Sequence, residues 1–461
     1  MQQFNRTFVY SICLASALGG FLFGYDWVVI GGAKPFYEVS FGIAGLPAMQ
    51  GMAMSVALLG CLAGAMVAGA LADRFGRRPL LLAAAAVFLV SSCATGAFSA
   101  FSSFLVARFL GGIGIGVASC LSPTYIAEVA PPAVRGRLVA ANQLAIVLGI
   151  LGAQTVNWLI ADPVPAGTGP AELALSWNVR WGWRWMFWAA ALPSAMFLVA
   201  ASLIPESPRW LAGQGLTEAA KRVLVRVGGT AYADTALRDM AAVADTAGLR
   251  SGLCTLLSRP YRRVLVIGVV VAVFQQWCGT NVIFNYAQEI FQAAGFELGD
   301  VLFNIVITGV ANLVFTFVAI FTVDRLGRRT LMLLGAGGLA GIYLILGACY
   351  FFHVSGLLMI VLVVAAIGCY AMSLGPVTWV LLAEIFPNCV RGVAVAVATF
   401  ALWAGCFILT YTFPLLNDWL GSSGTFWIYA AICAGGFVFI MCVLPETKGK
   451  TLEDLEKELV H

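Results

Sequence analysis

Long apolar stretches alternate along the chain with short charged or Pro/Gly-rich ones. A helix needs about 20 predominantly apolar residues to cross a bilayer. Twelve stretches meet that test: residues 8–32, 48–71, 79–99, 102–125, 138–161, 185–204, 262–293, 300–323, 330–352, 355–382, 392–416 and 424–444. Barrel strands would show runs of about 10 residues with strict alternation. These runs are about twice that length and lack a period of two, so they predict helices. Residues 1–30 predict a first span rather than a cleaved leader, because the apolar part is long, contains Asp26 and lacks a small-residue cleavage site. Residues 205–261 are the longest polar segment, and within them Leu216–Val227 and Ala233–Ala244 predict short amphipathic helices.

Composition agrees with the pattern. Of 461 residues, 61% are hydrophobic and 10% charged, against about 25% charged in a soluble domain. This excludes a disordered chain, a nucleic-acid binder and a secreted disulfide scaffold, and it predicts an integral membrane protein. The net charge of +4 is small, so position matters more than sum. With the N-terminus in the cytoplasm, 22 of the 26 basic residues fall on the cytoplasmic side, three outside (Lys34, Arg180, Arg184) and one, Arg108, inside a span. Basic residues favour cytoplasmic loops. The expectation is therefore a multi-pass protein of the cell (inner) membrane with both termini and residues 205–261 in the cytoplasm.

The chain is also duplicated. Asp73-Arg-Phe-Gly-Arg-Arg78 returns as Asp324-Arg-Leu-Gly-Arg-Arg329, offset by 251. Glu128-Val-Ala-Pro, followed by Val134-Arg135-Gly136, returns as Glu384-Ile-Phe-Pro, followed by Val390-Arg391-Gly392, offset by 256. Pro205-Glu-Ser returns as Pro445-Glu-Thr, offset by 240. Near-equal offsets imply two parallel six-helix halves, residues 1–204 and 262–444, joined by 205–261 and followed by a tail, 445–461. That is the architecture of a rocker-switch secondary transporter, with its site near the midplane between the halves.

At these residues the chain resembles the sugar porter family of the major facilitator superfamily. The resemblance spans nearly the whole chain. It rests on the two Asp-Arg-x-Gly-Arg-Arg turns, Arg108-Phe-Leu-Gly-Gly, Pro205-Glu-Ser-Pro-Arg-Trp-Leu211, Gln275-Gln276-x-x-Gly279-x-Asn281, Gly375-Pro376-x-x-Trp379 and Pro445-Glu-Thr-Lys-Gly449. It implies an all-α fold of twelve transmembrane helices with short intracellular helices, working by alternating access. Asp73, Arg74, Arg77, Glu128, Arg135 and Glu206, with Asp324, Arg325, Arg328, Glu384, Arg391 and Glu446, are expected to form a cytoplasmic charge network. Arginines there can reach carboxylates or helix C-termini, holding the cytoplasmic gate shut while the site faces outward.

A sugar presents hydroxyls and an apolar ring face, so its site needs amides and an aromatic platform. The resemblance places Phe23, Gln143, Gln275, Gln276, Asn281, Tyr286, Asn312, Gly375, Trp379 and Trp403 around the sugar. Four departures from the family pattern, Ile150, Asn285 in place of the first residue of a usual Tyr-Tyr pair, Leu402 beside Trp403, and Cys406, bear on which sugar is taken. Asp26 and Arg108 are the ionisable residues most clearly inside spans. Each lies six residues from an outer span end, about 9 Å down at 1.5 Å per residue, so they can pair. Charges at such depth are functional candidates, and an aspartate in Phe-Gly-Tyr-Asp resembles the proton-coupled members.

Gly111, Gly112, Gly114 and Gly116 imitate a dinucleotide loop but lie inside an apolar run, and are expected to be packing glycines. The twelve cysteines lack a C-x-x-C pair, and His353 and His461 lack metal spacing. The expectation is a monosaccharide (hexose or pentose):proton symporter and not an enzyme, with sugar, proton and bilayer as partners. Nucleic acid, ATP, metal and cofactor are not expected, and the working unit is expected to be a monomer. A uniporter of the same fold is one alternative. A non-transporting sensor is a weaker one, because sensors tend to carry long cytoplasmic tails and about fifteen residues follow the last span.

Overall fold

The computed structural model describes residues 4–165, 168, 170–246, 258–296, 298–387 and 390–447. The segment 247–257 and the tail from residue 448 onward lie outside the described residues, as do the side chains of Asp324 and Arg391. Described residues form helices and no strand. In chain order these are α1 (Arg6–Phe41), α2 (Pro47–Phe75), α3 (Arg77–Ala97), α4 (Phe101–Val129), α5 (Pro132–Ile160), α6 (Pro170–Leu175), α7 (Trp183–Ala189), α8 (Ala191–Leu203), α9 (Pro208–Gly213) and α10 (Thr217–Thr246). There follow α11 (Arg259–Trp277), α12 (Thr280–Asn285), α13 (Ala287–Ala293), α14 (Leu298–Leu326), α15 (Arg328–Phe351), α16 (Leu357–Met372), α17 (Leu374–Ile385) and α18 (Arg391–Val443).

Among the described residues, 11 helical stretches are long and apolar enough to cross a membrane. The last, Val393–Val443, contains Gly421 at φ 68°, a break that falls between the two spans expected there. Large apolar side chains on these stretches face outward, among them Leu203 at 78% exposure and Phe321 at 69%. Lipid accepts such a surface; water does not. In the polar segment, Gly228 and Gly229 (φ 81°) break α10 between the two amphipathic stretches.

Two compact units are present. Unit 1 holds α1 up to Trp27, Leu59–Ala153 and α7 through α10 from Arg184. Unit 2 holds Val28–Leu58, Gln154–Trp183 and all helices from α11 onward. Thus α1, α2 and α5 each pass from one unit into the other. Within unit 1 the backbones of α1 and α5 touch: a Cβ on Gly24 would strike the Ile146 carbonyl, and one on Gly149 the Phe21 carbonyl. The glycine row of α4 packs likewise, Gly116 against the Cys61 carbonyl of α2. Small residues let membrane helices approach this closely.

The duplicated motifs fold into duplicated devices. In unit 1, Gly76 (φ 96°) turns the chain into α3, and the Glu206 carboxylate accepts from the Arg77 N–H at 3.0 Å and the Arg78 N–H at 3.2 Å. Arg77 then reaches Glu128 at 3.0 Å and Asp73 at 3.3 Å, and Ser207 donates to Glu128 at 2.5 Å. In unit 2, Gly327 (φ 90°) turns into α15, and Glu446 accepts from the Arg328 N–H at 2.9 Å and the Arg329 N–H at 3.1 Å. Arg328 reaches Glu384 at 3.1 Å, to which Thr447 donates at 2.6 Å. Each glutamate satisfies amides that a helix start leaves open and places negative charge at the positive end of the helix dipole. Of the other expected network members, Arg74 is exposed with its guanidinium 5.1 Å from the Phe75 ring, and Arg135 and Arg325 are exposed.

Removing either cap strands two helix-start amides beside an arginine. Glu206→Ala and Glu446→Ala are each expected to cost about 1–3 kcal/mol. Thermal unfolding of the purified protein in detergent checks this, and an unchanged midpoint in both variants would contradict the capping role.

Candidate substrate and proton site

The polar interior of unit 2 is built where the expected span 262–293 is interrupted. α11 ends at Trp277, and Gly279 adopts φ 84°, a left-handed conformation that glycine takes at little cost. α12 runs for six residues, and Tyr286 (φ −121°, ψ 25°) breaks the chain again before α13. The turn at Gly279 brings residues of α11 and α12 together. Gln276 donates to the Gln275 carbonyl oxygen at 2.6 Å, and the Asn281 amide donates to the Gln276 carbonyl oxygen. Gln275 in turn donates to the Tyr370 hydroxyl at 2.6 Å, and Asn281 approaches Cys406 Sγ at 3.9 Å. All three amides are buried. Such a chain can exchange its internal bonds for hydroxyls at small net cost, because each amide carries both donors and an acceptor.

Other expected site residues of unit 2 lie on the same helices or their neighbours. Span 355–382 is also interrupted, at Ser373 (φ −128°, ψ −91°). Gly375 follows that break, and a Cβ there would meet the Tyr370 ring at 3.2 Å. Trp379, on α17, keeps 41% of its surface exposed, whereas Trp403 on α18 is buried. Asn312 is buried on α14. Tyr286 is fully buried, donating to the Thr410 carbonyl at 2.6 Å with its ring centroid 4.5 Å from that of Phe413. Tyr370 was not anticipated; a tyrosine hydroxyl in an otherwise apolar run, five residues before Gly375, is the available signal.

Unit 1 contains the expected ion pair. Asp26 of α1 and Arg108 of α4 meet at 2.5 Å, with 6% and 4% of their surfaces exposed. The guanidinium also lies 5.5 Å from the Phe187 ring, and its Nε has no hydrogen-bond partner among the described residues. The arginine is thus held by one carboxylate and an aromatic face. Losing the carboxylate's charge loosens it without leaving it bare. Phe23 is half-buried in the same unit, edge-on to Trp27 at 5.5 Å, and Gln143 is half-buried on α5.

A second charged group was missed. Lys34, expected in an outer loop, lies within α1, which runs nine residues beyond the expected span end. It is buried and paired with Glu38 at 2.8 Å and with Glu289 of α13. The signal is the four-residue spacing of Lys34 and Glu38 around Pro35-Phe36-Tyr37, which continues the helical period. Asp26 is therefore not alone among acids buried on spanning helices.

The family described as "Sugar (and other) transporter" matches residues 12–459. The arabinose-proton symporter of Bacillus subtilis (strain 168) is 37% identical over 98% of this chain and 95% of its own. The D-xylose-proton symporter of Escherichia coli (strain K12) is 37% identical over 98% and 96%. Among solved structures, the inward open conformation of the xylose transporter XylE from E. coli superposes with a TM-score of 0.86 at 36% identity, covering 98% of this chain and all of that one. The fold is accordingly that of the major facilitator superfamily, the protein is a multi-pass membrane transporter rather than an enzyme, and the chain belongs to the sugar transporter family.

Proposed function

We propose that this protein imports a monosaccharide, a hexose or pentose, together with a proton by alternating access. The observation that carries the reading is the buried Asp26–Arg108 pair inside apolar helices of a sugar transporter. A lone buried charge is costly in this setting, and breaking a buried pair by deleting one partner costs about 3–5 kcal/mol. Protonation achieves the same separation reversibly: neutral Asp26 releases Arg108, which keeps its contact with Phe187. The relatives named as arabinose-proton and D-xylose-proton symporters support both the cargo and the coupling.

The sugar hydroxyls engage Gln275, Gln276 and Asn281, with Trp379 offering a partly exposed ring face of the kind a sugar ring stacks on. Phe23, Gln143, Asn312, Gly375, Tyr286 and Trp403 are proposed as further contacts on the strength of the family motifs. The arginine-rich turns face the cytoplasm, as the 22-to-3 split of basic residues supports. On this reading the protein sits in the cell (inner) membrane. One chain carries both repeats, so the monomer is the working unit, and the driving force is the proton gradient rather than ATP.

Three outcomes test this. In intact cells, a single cysteine at exposed Leu46 should react with an impermeant reagent and one at Thr217 should not; the reverse pattern would invert the topology. Gln276→Ala should weaken sugar binding about tenfold or more, since each hydroxyl left without its partner costs about 1–3 kcal/mol. Calorimetry against a panel of pentoses and hexoses reads this, and unchanged affinity in a folded variant removes the amide chain from the site. Asp26→Asn should abolish accumulation driven by a pH gradient in proteoliposomes while counterflow exchange continues. Retained uphill uptake in that variant would reduce the pair to a structural role and favour uniport.

A further inference from the structure

We infer that Lys34, Glu38 and Glu289 form a second proton-binding site, which takes up one proton when the end of the protein opposite the arginine-rich turns closes. The inference goes beyond symport through Asp26, and it uses the proposed orientation only to say that this end faces outside.

That end is closed in the structure. A Cβ on Gly31 of α1 would lie 3.0 Å from the Asn285 carbonyl, and one on Gly51 of α2 would lie 2.5 Å from the Tyr411 carbonyl. Within this contact Lys34 is ion-paired to Glu38, four residues on along the same helix, and to Glu289 on α13. The side chains are 3%, 10% and 24% exposed. The Glu38 carboxylate also accepts from Gln50 of α2 at 3.0 Å. One ammonium therefore faces two carboxylates. No other Lys or Arg pairs with either carboxylate among the described residues. Glu289 Oε2 is buried without a hydrogen-bond partner among them.

The remaining titratable groups at the cluster are phenols already committed elsewhere. Tyr37 of α1 contacts Met54 Sδ at 3.2 Å, and Tyr286, before α13, donates to the Thr410 carbonyl of α18 while lying 5.5 Å from the Lys34 ammonium. Neither cancels the excess negative charge. A single proton shared by the two carboxylates does, and like charges crowded into one buried site share protons in this way.

Opening changes the balance. Glu289 rides on α13, a seven-residue helix that begins just after the breaks at Gly279 and Tyr286, whereas Lys34 and Glu38 share α1. Separating α13 from α1 leaves Lys34–Glu38 as a neutral pair one turn apart and delivers Glu289 to water, where it ionises. The proton enters from the outer water as the end closes and returns to the same water as it opens. It is not carried across the membrane; it makes closure dependent on external pH. One proton of linkage shifts the closed-to-open ratio by up to ~10-fold per pH unit.

The test places spin labels on cysteines at Leu46 and Trp419, both exposed, in a chain cleared of its other cysteines and carrying Asp26→Asn. Distances are measured in liposomes against pH. With Asp26 neutralised throughout, any remaining titration belongs elsewhere, so this result stands or falls independently of the symport reading. The expected result is a closed population that grows as pH falls. Adding Glu289→Gln should leave the end closed and insensitive to pH. Glu38→Gln, which leaves α13 untouched, should also remove the titration and guards against a folding defect in the first variant. A flat titration in Asp26→Asn alone, or one unchanged by both glutamine substitutions, overturns the inference.

Discussion

Hydrocarbon returns no hydrogen bonds, so amides, carboxylates and ammonium groups inside the bilayer draw their partners from the chain itself. That constraint organises the interior. Asp26 holds Arg108, the amides of α11 and α12 hold one another, and Lys34 gathers two carboxylates. It also decides where helices break. The interruptions at Gly279 and Ser373 fall beside Gln275, Gln276, Asn281 and Tyr370, whose side chains form a buried hydrogen-bonded chain. Backbone irregularity and polar side chains are thus one feature, and a polyhydroxyl substrate competes for the same bonds.

The duplicated capping devices show how two copies of a motif keep one physical function. Glu206 and Glu446 come from segments 240 residues apart, yet each accepts from two consecutive amides after a glycine at positive φ. Arg77 and Arg328 then bind Glu128 and Glu384 within their own units. The duplicated basic turns therefore act first as helix starts.

Helix α1 links the proposed proton chemistry to the opposite end. Asp26 and Lys34 lie eight residues apart on it, one in unit 1 and the other in unit 2. Asp26 is balanced one to one by Arg108, so its proton and its cation are alternatives. Lys34 is outnumbered by its acids, so there a proton and the cation act together. The same helix thereby carries two sites with opposite responses: protonation releases the first pair and completes the second cluster.

Much of this was legible in the sequence. The apolar runs announced helices, because hydropathy is a local sum that needs no partner. The offsets of 251, 256 and 240 announced the duplication. Counting depth from the outer span ends paired Asp26 with Arg108, although α1 runs nine residues beyond the expected end. The breaks in the expected spans 262–293 and 355–382 were not legible, since apolar content continues through them and only packing from α15, α16 and α18 makes the bent backbone affordable. The partners of Gln275 and Asn281, namely Tyr370 and Cys406, lie 95 and 125 residues away. Lys34 looked like a loop charge for the same reason: the carboxylate that draws it into the interior is 255 residues distant. Sequence determines what a segment can bury; which charge is buried depends on a partner that only the folded chain brings within reach.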